Sequence, residues 1–161
     1  MVHFAWAEWL LLLTICAFFG HRDTPITNSL ISKLEETLVF LINQGVDEFW
    51  CCEQGNFDWI ARSTILRLKK EFPHIKVCYI LAYRTLLNTE MSQNYLEDTY
   101  DDIIYPETVE HGYPKFAITR RNRYIAENTD VVVCYVTKRI GGAFRAMQTA
   151  QQFKKKIINL T

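Results

Sequence analysis

Apolar runs alternate with stretches of helical periodicity along most of this chain. Residues 10–19 are almost continuously apolar and end at Gly20, the pattern of a strand buried on both faces. Thr24-Pro25 then supplies a capping side chain and a proline at a first helical position, so a helix is predicted to start there. Its apolar stripe is Leu30, Leu34, Leu38, Leu41 and Ile42, and Gly45 closes it. Residues 48–52 read as a second strand. The turn Glu53-Gln54-Gly55-Asn56 leads into a second helix whose inner face is Phe57, Ile60, Ile65, Leu68 and Phe72, stopped by Pro73. Residues 76–81 predict a third strand, 116–128 a helix and 131–136 a fourth strand. After Gly141-Gly142 a helical pattern places Ala143, Ala146, Met147, Ala150 and Phe153 on one face, and Ile157-Ile158-Asn159 begins the last strand.

Strand and helix alternate five times. The predicted class is therefore α/β: a Rossmann-like three-layer fold with a mostly parallel five-stranded sheet and helices on both faces. One segment resists the pattern. Residues 85–114 carry six acidic side chains between Glu97 and Glu110, interleaved with Tyr95, Tyr100, Tyr105 and Tyr113. A stretch of this length without periodicity reads as a lid or an insertion, and its acidic residues as a solvated face rather than a metal site. Residues 1–9 are read as an extension of uncertain structure, and 10–161 as a single domain.

Composition narrows the function classes. Eighteen basic residues balance eighteen acidic ones, so no overall field draws the chain to nucleic acid or to an anionic membrane. The apolar N-terminal stretch contains Glu8, lacks a preceding Lys or Arg, and falls short of the ~20 residues of a spanning helix, which argues against an anchor. The five cysteines make no CxxC and no Cys/His ligand spacing, and read as buried thiols of a reducing, cytoplasmic compartment. No metal and no cofactor is expected.

In parallel α/β folds, ligands bind beyond the carboxyl ends of the strands. Four such ends carry unusual polar turns: Gly20-His21-Arg22, the run from Glu53 to Asp58, Tyr83-Arg84, and residues 137–142. Gly20, Gly55 and Gly142 permit close backbone approach, and the helix opening at Gly141-Gly142 aims free N–H groups at an anion. Arg22, Arg121 and Arg123 offer fork-shaped donors for phosphate or carboxylate, with Asn122 orienting the neighbouring turn. Neither a GxGxxG nor a GxxxxGK[ST] motif is present, which disfavours an ordinary dinucleotide or P-loop site.

Taken in order, Phe19-Gly20-His21-Arg22, Gly55-Asn56-Phe57-Asp58, Arg121-Asn122-Arg123 and Gly141-Gly142-Ala143 with Ile157-Ile158-Asn159 resemble the YpsA-like branch of the SLOG superfamily, over nearly the whole chain from residue 14. The resemblance implies a prokaryotic or phage-type protein that binds or senses a nucleotide-derived ligand at its glycine turns. It also brings in phosphoribohydrolases that cleave the N-glycosidic bond of nucleoside monophosphates. In those enzymes a glutamate follows the glycine turn, whereas here Gln148 stands at that position. A neutral amide cannot take up a proton as a carboxylate does, so Asp58 or Glu53 would have to serve instead. The expected ligand-binding set is Gly20, His21, Arg22, Gly55, Asn56, Tyr83, Arg121, Asn122, Arg123, Gly141 and Gly142. The first expectation is binding of a nucleoside phosphate or ADP-ribose-like molecule. The alternatives are a nucleoside monophosphate N-glycosidase and, against the balanced charge, a single-stranded nucleic-acid binder. No stable nucleic-acid complex and no membrane is expected, and assembly as a homodimer is left open.

Overall fold

Alternate residues along each strand serve two separate cores, which is how a parallel sheet covered on both faces must be built. In the computed structural model, which describes residues 14–161, six strands form one sheet. They are β1 (Ile15–Gly20), β2 (Glu48–Cys51), β3 (Lys76–Ile80), β4 (Asp102–Ile104), β5 (Val131–Tyr135) and β6 (Lys156–Asn159). Their order is β4-β3-β2-β1-β5-β6, and every ladder is parallel. Residues 1–9 and the start of the strand expected at 10–19 lie outside the described residues.

Cys16 and Phe18 of β1, with Phe49 and Cys51 of β2, face α1 (Asn28–Asn43) and α2 (Asn56–Glu71). Ala17, Phe19, Trp50 and Cys134 face α5 (Ala117–Asn128) and α6 (Gly141–Gln152). The predicted stripes hold: Leu30, Leu34, Leu38, Leu41 and Ile42 are buried on α1, and Ala146 and Ala150 on α6. All five cysteines are free and buried. Among the described residues no helix is long and apolar enough to cross a membrane.

Two expectations are corrected. The first helix is capped by Thr27, whose hydroxyl accepts from Leu30 N–H at 3.2 Å, and not by Thr24. Thr24 is buried within the loop, its hydroxyl donating to the His21 carbonyl at 2.6 Å. The sheet has six strands rather than five, and the sixth lies in the segment read as irregular. That segment folds into α3 (Glu90–Thr99), β4 and the single turn α4 (Glu107–Glu110), flanked by 3-10 turns at Arg84–Leu87 and Pro114–Phe116. β4 is three residues long and pairs on one side only, so it lacks the continuous apolar run of an inner strand. Asp101 docks it onto β3, accepting from Val77 N–H at 2.7 Å while its own N–H donates to the Val77 carbonyl at 2.8 Å.

Candidate functional site

The strand order reverses direction at β1. From β1 the chain winds outward through β2, β3 and β4, then returns to place β5 on the opposite side of β1. The loops leaving β1 and β5 therefore diverge and open a crevice at their carboxyl ends. A cleft of about 610 Å³, open to solvent, lies there. Gly20, His21 and Arg22 line it from the end of β1, Gln54 from the loop before α2, Asp58 from the first turn of α2, Arg121 and Asn122 from α5, and Gly142 from α6.

Short-range contacts hold these loops in register. Gly20 faces the ring of Phe57, and a Cβ at position 20 would sit 2.3 Å from that ring. Gly55 has φ +122°, and a Cβ there would lie 2.6 Å from the Arg22 Cα, so two backbones touch. Asn56 closes the junction: its N–H donates to the Arg22 carbonyl and its Nδ2 to the Thr24 carbonyl, both at 3.0 Å. On the other side the Lys138 N–H donates to His21 Nε2 at 3.2 Å, and Lys138 Nζ pairs with Asp23 at 2.7 Å.

Two buried ionisable groups face one another across this frame. Arg121 shares a helical face with Ala117 and Ile125, at spacings of four, and is 2% exposed. Its Nε and Nη2 donate to Asn122 Oδ1 at 3.4 and 3.1 Å, while buried Nη1 has no partner among the described residues. Asp58, in the first turn of α2, accepts from Gln54 N–H at 2.9 Å through Oδ2. Burial pushes its carboxyl up to about 7, against the opposing pull of Arg121 and of the Gln54 N–H. Asp58 therefore passes between its protonated and ionised forms near neutral pH. Cys52 also lines the cleft, but burial raises its thiol to about 12, outweighing the pull of Arg121, so it is no thiolate nucleophile.

α6 supplies the third feature. Its cap residue Ile140 makes no side-chain hydrogen bond, and no acidic residue stands in its first turn. Its leading N–H groups thus keep their donor capacity for an outside anion. Gly141 has φ +88°, which the turn requires. Gly142 does not, and a Cβ there would meet nothing within 4 Å.

Other expected residues stand elsewhere. Tyr83 packs with Ala82, Val109 and Ala117, away from the cleft. Arg123 is exposed, pairs with Glu127 at 2.8 Å and lies over the Phe153 ring, so it does not reach the cleft. Gly55 and Asn56 shape the loop junction rather than the lining, and Gly141 sets the turn. Glu53 points away from Asp58 and gathers Tyr95, Tyr100 and Arg62. Gln148 is exposed on α6. Gln54, Cys52, Phe19 and Ala143 line the cleft although none stood in the expected ligand-binding set. Cys52 and Gln54 line the cleft while Glu53 between them lines the neighbouring cavity, a division that the loop after β2 sets and that sequence spacing does not show. Among the described residues no cluster of three His, Cys, Asp or Glu forms a metal-holding group.

Fold and site together define a Rossmann-like α/β protein whose cleft lies at the topological switch point, between a capless helix N-terminus and a buried arginine. The family model YpsA, described as the YspA SLOG family, matches residues 15–159, and the chain belongs to this family. No curated protein matches it.

Proposed function

We propose that the protein binds a nucleotide-derived small molecule, with its phosphate seated between the N-terminus of α6 and Arg121. One observation carries this reading: Arg121, which lines a cleft whose other wall is a free helix N-terminus, has a buried Nη1 with no partner among the described residues. A buried guanidinium donor without an acceptor is costly, and an incoming phosphate oxygen removes that cost. Arg22, at the rim and tied only to Gln54 Oε1 at 3.1 Å, adds a second fork. Family membership is consistent with a nucleotide-related ligand. Asn56 and His21 serve by fixing the loops.

The test is a thermal-shift and calorimetric panel of nucleoside monophosphates, NAD, ADP-ribose and cyclic nucleotides. Ligand at ~100 times its dissociation constant adds about 2.7 kcal/mol of stability. Gly142→Asp, which places a carboxylate in the open space at the helix start, is expected to abolish the shift, as is Arg121→Met. No shift from any compound would refute the reading.

A second reading is carried by Asp58. A buried carboxyl that holds its proton to about 7 is matched to general acid–base work at neutral pH, as cleavage of an N-glycosidic bond requires. Release of free base from a nucleoside monophosphate, lost in Asp58→Asn, establishes it. A bound ligand that is never turned over removes it and leaves the binding role intact.

A further inference from the structure

A second cavity, of about 660 Å³, adjoins the cleft through the loop between β2 and α2. Cys52 and Gln54 line the cleft, whereas Glu53 between them lines this cavity, so one short segment of backbone separates the two spaces. Tyr79, Leu86, Met91, Ser92, Tyr95 and Leu96 complete its walls from β3, the following 3-10 turn and α3. These walls are apolar and aromatic. Tyr79 is placed near enough to feel the charges of Glu53, Arg121 and Asp58 together.

Glu53 is held in place. Its Oε1 accepts from Tyr95 Oη at 2.8 Å, Tyr100 Oη at 3.0 Å and Arg62 Nη1 at 3.2 Å. All three donors converge on Oε1; among the described residues none is seen on Oε2, and Glu53 lines the apolar slot. Exposed Leu86 and Met91 at the mouth would suit any greasy partner, but an apolar partner would bury that oxygen with nothing to bond. A flat heteroaromatic ring bearing N–H groups satisfies both features: its faces lie on Tyr and Leu side chains and its edge donates to the carboxylate.

We propose that this slot receives the nucleobase of the ligand whose phosphate occupies the cleft, an inference that rests on the nucleotide reading above. The ligand class narrows to nucleotides whose base presents an N–H edge, an exocyclic amine or a ring N–H, since a carboxylate accepts and cannot donate.

The experiment titrates adenosine 5′-monophosphate and ribose 5-phosphate into the wild-type protein and a Ser92→Phe variant. Ser92 lines the slot from the first turn of α3 and is not buried, so a larger side chain plugs the slot without entering the core. The nucleotide is expected to bind about tenfold or more tightly than the base-free sugar phosphate, in line with the stacking of one base. The plug is expected to remove this difference and leave ribose 5-phosphate affinity unchanged. Leu86→Gln, on the exposed 3-10 turn, is expected to reduce it in the same sense, which keeps the test open should the plug disturb folding. Equal wild-type affinities for the two ligands, or a nucleotide advantage that survives both variants, overturns the base slot and leaves the phosphate cleft standing. Failure of both ligands to bind removes both readings.

Discussion

Replacing Asp58 with asparagine tests the electrostatic core of the site, and its effect on stability follows from the carboxyl's surroundings. Asp58 is 9% exposed, and burial raises it from the ordinary 3.8 to about 7. In the unfolded chain the group ionises as pH passes 3.8, whereas in the folded protein it keeps its proton until about 7. Across that window the folded state binds more protons, so stability falls as pH rises and levels off above about 7. The gap of about three pH units corresponds to roughly 4 kcal/mol of lost stability. The amide of Asp58→Asn would still accept from Gln54 N–H through its oxygen but would not titrate. The difference in unfolding free energy between variant and wild type is therefore expected to move in favour of the variant by roughly 4 kcal/mol between about pH 4 and about pH 8. Urea melts of both proteins across this range give the difference directly, since all other titrating groups are shared. A difference that stays constant with pH would show that Asp58 ionises like a solvated carboxylate, and the acid–base reading would fall with it.

Three further outcomes follow from the same geometry. The affinity of any phosphate-bearing ligand is expected to weaken above about pH 7 in wild type, as Asp58 becomes an anion beside it, and calorimetry on Asp58→Asn should show that weakening abolished. Gly55→Ala, forced into a φ of +122° and against the Arg22 backbone, is expected to cost roughly 2–4 kcal/mol in a denaturant melt. Arg123→Ala is expected to leave ligand affinity unchanged and to alter stability by about 1 kcal/mol or less, since it removes an exposed ion pair with Glu127 and a surface contact with the Phe153 ring; a loss of affinity would return Arg123 to the site.

Much of the architecture was legible because buried parallel strands and amphipathic helices write themselves in apolar spacing. The α1 and α2 stripes and the runs that became β1, β2, β3 and β5 needed nothing but period. β4 was not legible. Its three residues begin with an aspartate, and its place in the sheet comes from Asp101 docking on Val77, a contact between residues far apart in sequence. Thr24 misled for a related reason. A Thr-Pro pair is a good helix start locally, yet the loop uses Thr24 to bond His21 and receive Asn56, and the next threonine takes the cap. Arg121 and Arg123 both stood in the expected ligand-binding set, and composition gave no sign that one is buried and the other exposed. Helical geometry separates them by burial, because only Arg121 stands at spacings of four from Ala117 and Ile125, both of which face the core.

The glycines show how one inference from sequence divides into two once the fold is known. Gly20, Gly55 and Gly142 shared a single expected reason, close approach of a ligand to backbone. For Gly20 the approaching group is the Phe57 ring, and for Gly55 it is the Arg22 backbone. Both glycines are demanded by the protein itself and would be required with no ligand at all. Gly142 is different: its φ imposes nothing, and the space a side chain would fill is empty. Packing and backbone strain therefore supply no reason for a missing Cβ at this position. What remains is the cleft beside it, with the α6 N–H groups on one side and the unpartnered Arg121 Nη1 among its lining. Gly142→Ala separates the two kinds of glycine. It is expected to change stability by less than about 0.5 kcal/mol, a surface-like cost, while weakening any ligand that must reach the helix start. A destabilisation as large as that of Gly55→Ala would mean that Gly142 serves the fold, and the anion site would lose its floor.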